Sequence, residues 1–323
     1  MKILVLGAGA VGGYFGGRMA EAGADVTFLV RARRAELLAK SGLRIKSRFG
    51  DLKLAPRCVV EAQVKPDYDV VLFTAKAYDL ASAIDAIAPA MTGNRRGYVL
   101  PMLNGISHMD ALDARFGRER VLGGVAYIAS TLAPDGEIQH LNEFQRIVFG
   151  PRAASQKAVC EALSAALAGV KFDWKQLDDV EQAMWDKWVL LATLAGITCL
   201  MRAPVGDIVA AGSGEKLILA LLAENASVAK AEGYATPEAA MANYRGLLTQ
   251  KGSMFSASML RDVESGGQAE GEHILGALLA RARKHGISAP VLEMAATNLE
   301  AYAARRKREK ASGSKPGPTA DGR

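Results

Sequence analysis

The sequence predicts an α/β protein, with an N-terminal Rossmann-type doubly wound sheet followed by an all-helical C-terminal domain. Three observations predict it. Short apolar runs alternate with helical patterns through the first half. A glycine-rich turn joins the first run to the first helix. Near Gly150-Pro151 the pattern changes and becomes mostly helical. At roughly 150 residues per domain, 323 residues suggest two domains. The expected boundaries are a Rossmann-type domain over 1–165, an all-helical domain over 170–305, and a disordered basic tail over 306–323.

The elements follow in order. Residues 3–6 form a continuous apolar run that stops at glycine, as a strand buried on both faces does. A helix follows over 10–22 and a second strand over 26–30. Residues 43–46 and 52–55, separated by Phe49-Gly50-Asp51, read as a hairpin insertion. Further strands are expected over 70–74, 98–100 and 121–128. Beyond residue 150, helices are expected over 179–201, 215–232, 237–250, 256–264, 272–285 and 290–307, with capping or breaking residues between them.

Composition narrows the function classes. Half the residues are apolar and 23% are charged, ordinary for a folded enzyme and wrong for a disordered chain. Cys58, Cys160 and Cys199 are far apart and have no ligand spacing, so neither a disulfide framework nor a metal site is expected. The four histidines are scattered and read as non-catalytic. Net charge is +6, but Arg305-Arg306-Lys307-Arg308-Glu309-Lys310 alone contributes +4 of it. The basic excess therefore reads as a solvated end, and no nucleic-acid partner is expected. Between Lys187 and Arg202 lie fourteen uncharged residues, fewer than the roughly 20 that span a bilayer, so a core helix is expected and no membrane contact. The N-terminus carries no secretory pattern, and a cytoplasmic location is expected.

Gly7-Ala8-Gly9-Ala10-Val11-Gly12 is G-x-G-x-x-G. Glycine makes up about a tenth of the chain, so the bare match says little. Its context says more, because it follows a strand and opens a helix. The first glycine permits the tight turn, the second lets backbone N–H groups approach a pyrophosphate, and the third lets helix and strand close up. The end of the second strand selects the cofactor. An acidic residue there would take a ribose 2′-hydroxyl, and an arginine accommodates a 2′-phosphate. This strand ends at Arg31, with Arg33 and Arg34 following, so NADPH is expected over NADH. The plainer reading is a solvated helix start, which Arg31 is best placed to escape.

Lys187 enters an otherwise uncharged helix, where desolvation would lower an ammonium pKa towards neutrality and suit a proton donor. A lysine snorkelling at a helix start is the competing explanation. Glu270 lies at the start of a helix, where the dipole favours a carboxylate whatever its role. The sharper reading has Glu270 holding the lysine or a substrate hydroxyl, with Glu272 as competitor.

Taken together these residues resemble a family. The glycine motif, Arg31, Lys76 in Thr74-Ala75-Lys76-Ala77-Tyr78, and Asn104-Gly105 occur in the order of ketopantoate reductase (2-dehydropantoate 2-reductase). In the helical half Trp185-Asp186-Lys187-Trp188, Ser256-Ala257-Ser258-Met259-Leu260-Arg261-Asp262 with Glu270, and Lys284-His285-Gly286-Ile287 with Ala289-Pro290 extend the similarity to about residues 1–303. The resemblance implies NADPH-dependent reduction of 2-dehydropantoate to (R)-pantoate, in pantothenate and coenzyme A biosynthesis. It implies cofactor contacts from Gly7, Ala8, Gly9, Ala10, Val11, Gly12, Arg31, Lys76, Asn104 and Ala129. Lys187 becomes the proton donor, Glu270 a member of the catalytic network, and Lys187, Asn104 and Ser258 the substrate contacts. The partner is then a small 2-oxo acid; a homodimer is compatible with the sequence, which fixes no oligomeric state.

One departure stands out. Where the family's lysine helix carries two asparagines, this chain has Leu191 and Ala195. A related reductase for a more apolar 2-oxo acid is the first alternative. A non-catalytic NADP(H)-sensing module is the second.

Overall fold

The computed structural model describes residues 1–92 and 97–312. The described residues form two compact units, the first ending at Met184 and the second beginning at Trp185. In the first, β1 (Lys2–Leu6), α1 (Ala10–Glu21), β2 (Asp25–Leu29) and α2 (Ala32–Ser41) precede the pair β3 (Leu43–Lys46) and β4 (Leu52–Leu54). Next come β5 (Cys58–Val59), β6 (Val70–Phe73), α3 (Leu80–Ile87), β7 (Tyr98–Pro101) and α4 (His108–Phe116). The unit is completed by β8 (Gly123–Leu132), β9 (Ile138–Gly150), α5 (Lys157–Ala166) and β10 (Asp173–Gln176).

Five strands make a parallel sheet in the order β5-β2-β1-β6-β7, the doubly wound arrangement expected. Side chains alternate between its two faces. Ile3, Val5, Val26 and Phe28 join one core; Leu4, Leu29, Val71 and Phe73 join the other, with Ile84, Ile87, Met109 and Leu112. This burial on both faces is why the strands read as unbroken apolar runs.

A second sheet has the order β10-β9-β3-β4, with β8 paired antiparallel to β9. The expected hairpin is its β3–β4 edge. The long β9 and the short β10 were not expected, and β10 corrects the all-helical reading of residues 170–305. Its Asp-Trp-Lys-Gln sequence has no strand pattern of its own. It is recruited by parallel pairing with β9 from Asp173↔Arg146 to Gln176↔Phe149, while Trp174 stacks on Phe149. The first compact unit runs on to Met184.

Helix α1 lies between the sheets, and its sequence AVGGYFGGRMAE explains how. A Cβ at Gly16 would sit 2.8 Å from Phe28 Cε1 and 2.9 Å from Val5 Cγ2 of the parallel sheet. A Cβ at Gly17 would sit 2.8 Å from Leu43 Cδ2 and 3.0 Å from Ile45 Cδ1 of the second. One turn earlier Gly12 faces Val5 and Thr74, and Gly13 faces Ile138. The helix thus carries two i, i+4 rows of glycine, one against each sheet.

The second unit is helical. The helix α6 (Val180–Met201) runs into it and is followed by α7 (Val205–Ala210), α8 (Gly214–Ala231), α9 (Glu238–Leu248) and α10 (Ser258–Glu264). A π turn (Glu272–Gly276), α11 (Ala277–Lys284) and α12 (Pro290–Ala311) complete it. At Gly196 helix α6 comes close enough to the other elements that a Cβ would lie 3.0 Å from Leu221 and 3.4 Å from Ala295. Helix α6 has the length and hydropathy of a membrane span, but 67% of its apolar window is buried inside the protein, as in a core helix. The Glu224 carboxylate accepts the N–H groups of Val291 (3.2 Å) and Leu292 (2.8 Å), capping α12. The expected disordered tail needs correction. Residues 306–311 continue α12, because no glycine or proline interrupts the chain before residue 313 and Arg306 Nε donates to Gly266 O at 2.9 Å. Residues 313–323 lie outside the described residues.

Substituting Gly16→Ala is expected to destabilise the protein by about 1–3 kcal/mol, since both neighbours of the new methyl are fully buried. Urea unfolding of the variant beside the unsubstituted protein measures this.

Candidate functional site

The glycine motif sits at the C-terminal edge of the parallel sheet. Gly7 ends β1 with φ +91°, a conformation glycine adopts without strain, and its N–H donates to Leu29 O at 2.9 Å. The Thr74 hydroxyl donates to Leu6 O at 2.6 Å, tying the end of β1 to the residue after β6. Gly9 is the N-cap of α1, and no side chain caps that helix end. Its first N–H groups are therefore available to an anion, at the positive end of the dipole. Gly7 and Gly12 are demanded by the fold. Gly9 is not, because its φ is −85° and a Cβ there would meet no atom within 4 Å. A glycine required neither by sterics nor by backbone conformation leaves open space beside the loop. This is where a pyrophosphate would approach the backbone.

Arg34 is a site element that sequence reasoning does not single out. From α2 its Nη2 donates to Ala8 O at 2.8 Å and to Gly136 O at 3.1 Å, linking the glycine loop to the β8–β9 turn. Burial pushes its guanidinium below the ordinary pKa. Nothing in the sequence separates Arg34 from Arg33; only the helix phase of α2 does.

Arg31 is the N-cap residue of α2, at the end of β2. Its side chain is 82% exposed and pairs with Asp79 at 3.0 Å. Lys76 is exposed in the loop after β6, and Asn104 is half-buried in the loop after β7. Because β1, β2, β6 and β7 run parallel, the glycine loop, Arg31, Lys76 and Asn104 all follow strand ends at one edge of the sheet. Gly105 has φ +76°, so Asn104-Gly105 also serves as a turn. Ala129 belongs to the second sheet. It lies in β8 at an irregularity of the β8–β9 ladder, and its N–H donates to Asn142 Oδ1 at 3.0 Å.

The other candidates belong to the second unit. Lys187 is half-buried on α6, and burial lowers its ammonium pKa from 10.5 to about 8. Next to it Trp188 is fully buried, and its indole N–H donates to Ile274 O at 3.0 Å, within the π turn. Glu270 is half-buried just ahead of that turn, and its carbonyl accepts the Ile274 N–H at 3.0 Å. The competitor Glu272 is exposed, with its carboxylate folded over Gly276. Ser258 is the exposed first residue of α10. Among the described residues no group of three or more His, Cys, Asp or Glu is placed to hold a metal ion.

Two family models match this chain. The ketopantoate reductase PanE/ApbA model matches residues 3–154, and the ketopantoate reductase PanE/ApbA C-terminal model matches residues 179–303. The chain belongs to the ketopantoate reductase family. As a ketopantoate reductase homologue it is an oxidoreductase, which sets aside the non-catalytic sensing module. An uncharacterised oxidoreductase of Bacillus subtilis, YkpB, is 39% identical over 94% of this chain and 99% of its own. A 2-dehydropantoate 2-reductase of Halobacterium salinarum is 26% identical over 90% of this chain and 95% of its own. A 2-dehydropantoate 2-reductase structure from Geobacter metallireducens superimposes with a TM-score of 0.83 at 30% identity, covering 93% of this chain and 99% of that one.

Gly9→Ala is expected to leave the unfolding free energy within about 0.5 kcal/mol of the unsubstituted protein. It should weaken dinucleotide binding about tenfold, because the methyl fills the space a pyrophosphate needs. Urea unfolding and fluorescence titration with NADPH measure the two effects separately.

Proposed function

We propose that this oxidoreductase reduces the 2-oxo group of a 2-oxo acid with NADPH, and that the acid is 2-dehydropantoate, giving (R)-pantoate for pantothenate and coenzyme A synthesis in the cytoplasm. The observation that carries the reading is Lys187, an ammonium whose pKa burial brings to about 8, in a chain whose first unit offers an uncapped helix N-terminus behind a glycine loop. Relatives that bear the name 2-dehydropantoate 2-reductase support the choice of acid.

NADPH, when bound, supplies the hydride. In this reading Gly7, Ala8, Gly9, Ala10, Val11 and Gly12 hold its pyrophosphate, Arg31 its 2′-phosphate, and Lys76, Asn104 and Ala129 its nicotinamide side. Reduction of a carbonyl builds negative charge on its oxygen. Lys187 stabilises that charge as a cation and passes a proton to the oxygen. Glu270 orients the lysine or the product hydroxyl, and Ser258 and Asn104 hold the substrate. An ammonium of pKa near 8 gives up its proton more readily than one near 10.5 and is still mostly charged at neutral pH.

A second reading changes only the acid. Leu191, one turn after Lys187, is partly exposed, whereas Ala195 is fully buried and touches no solvent. Leu191 would favour an acid with an alkyl group where 2-dehydropantoate has its hydroxyl. The 39% identical relative, an oxidoreductase whose name states no substrate, leaves room for it.

NADPH oxidation with 2-dehydropantoate and with a panel of alkyl 2-oxo acids decides between the two. A strong preference for the hydroxylated acid ends the second reading. For the first, kcat/KM is expected to fall as pH rises through about 8, where Lys187 loses its proton. Lys187→Ala should lower kcat by about 10²–10⁴ and leave NADPH affinity unchanged. Equal turnover in that variant would remove Lys187 from the mechanism.

Cofactor choice is tested by affinity alone. Arg31→Ala should weaken binding of 2′,5′-ADP, with its 2′-phosphate, about tenfold and leave 5′-AMP unaffected. Asp79→Asn, which removes the anion paired with Arg31 at 3.0 Å, should act in the opposite direction. Isothermal titration of each variant with both nucleotides gives the answer.

A further inference from the structure

The π turn at Glu272–Gly276 is the one irregular stretch in the helical segment that begins beside Glu270. A π turn closes bonds from i to i+5. It widens the helix by one residue and rotates the preceding residues against the succeeding ones by roughly 100°. Such turns are less favourable than α-helix and persist where their surroundings hold them. Here the surroundings are identifiable. Trp188, 1% exposed, donates its indole N–H to Ile274 O at 3.0 Å, in the middle of the turn. The Arg281 guanidinium, from α11 on the far side of the turn, lies 5.1 Å from the centroid of the same indole ring. One side chain therefore grips both the turn and the helix beyond it. Gly271 lets the start of the segment approach α12, since a Cβ there would lie 2.7 Å from Leu299 Cβ.

Trp188 is also the neighbour of Lys187 on α6. The grip therefore joins the helix bearing the ammonium to the segment that begins beside Glu270. We propose that Trp188 is a positioning residue, its indole N–H holding the π turn and thereby fixing Glu270 relative to Lys187. This rests on the reading of Lys187 and Glu270 as the reducing machinery. Trp188 touches no reacting atom in it. Its ring supplies packing, and its N–H supplies the phase of the segment.

The test separates ring from N–H. Benzothienylalanine at position 188 keeps the shape and aromatic face of tryptophan and replaces the N–H by sulfur. Trp188→Phe is the genetically simple counterpart. Two quantities are read on the full chain. Amide hydrogen exchange over residues 270–279 should lose protection in both variants, without cofactor or substrate. Steady-state NADPH oxidation should show kcat reduced by about 10–100-fold, with KM for the 2-oxo acid and Kd for NADPH within about twofold. Both changes in the benzothienylalanine protein support the proposal. Unchanged protection overturns the claim that the N–H holds the turn. Lost protection with unchanged kcat, or a rise in KM with kcat retained, overturns the positioning role. If the unsubstituted enzyme reduces no 2-oxo acid, the functional reading fails first, and the assignment to Trp188 falls with it. An active parent beside an equally active variant removes the Trp188 proposal alone.

Discussion

The first unit depends on how closely α1 approaches two sheets at once. A helix with ordinary side chains on both faces would hold each sheet at about 10 Å. Gly12 and Gly16 remove the side chains facing Val5, Thr74 and Phe28, and Gly13 and Gly17 remove those facing Ile138, Leu43 and Ile45. The N-terminus of α1 is thereby set against the end of β1, where the loop turns at Gly7 and the helix begins at Gly9 with no side chain over its N–H groups. The anion-binding end of the helix is a consequence of its packing. Arg34 and Thr74 then fix the loop from two sides, one through Ala8 O and the other through Leu6 O.

The second unit applies a different constraint. Lys187 lies between Trp185 and Trp188 in sequence, both of them buried, on a helix that is otherwise apolar beyond it. Desolvation lowers its pKa to about 8. A desolvated ammonium costs stability, and the same unit holds a π turn, a second feature that is locally unfavourable. Irregular helix and perturbed amine within one helical unit is the pattern expected where local stability has been traded for chemistry. The polar residue that answers the irregularity, Trp188, reads in the sequence as core.

Much of the architecture was legible because it rests on short-range regularities. Apolar runs marked β1, β2 and β6, the first of them stopping at glycine, and 3.6-residue periodicity marked α6, α8 and α12 to within a few residues at most ends. The elements that escaped depend on partners distant in sequence. Strand β10 exists because β9 offers it an edge, and α12 runs past residue 305 because charged side chains with good helix propensity meet Gly266 across the unit. Arg34 is indistinguishable from its neighbours Arg31 and Arg33 until the helical phase of α2 is known. Glu270 was visible as a carboxylate near a helix start, but the π turn behind it leaves no mark in composition or spacing.

The sequence by itself determined the apolar strands of the parallel sheet and the long helices, the glycine turn that opens α1, the cation at the end of β2 and the uncharged helix behind Lys187. These follow from backbone sterics and hydrophobic periodicity, which act within a few residues. The tertiary structure alone decided that Gly9 faces open space while Gly12 and Gly16 are filled by neighbours, and that Arg34 holds the loop while Arg31 pairs with Asp79. It alone decided that the Trp188 indole N–H reaches Ile274, 86 residues further on. The physical reason is common to all three. Desolvation, close contact and hydrogen-bond geometry are set by whichever groups folding brings within a few ångströms, and sequence distance does not encode that proximity.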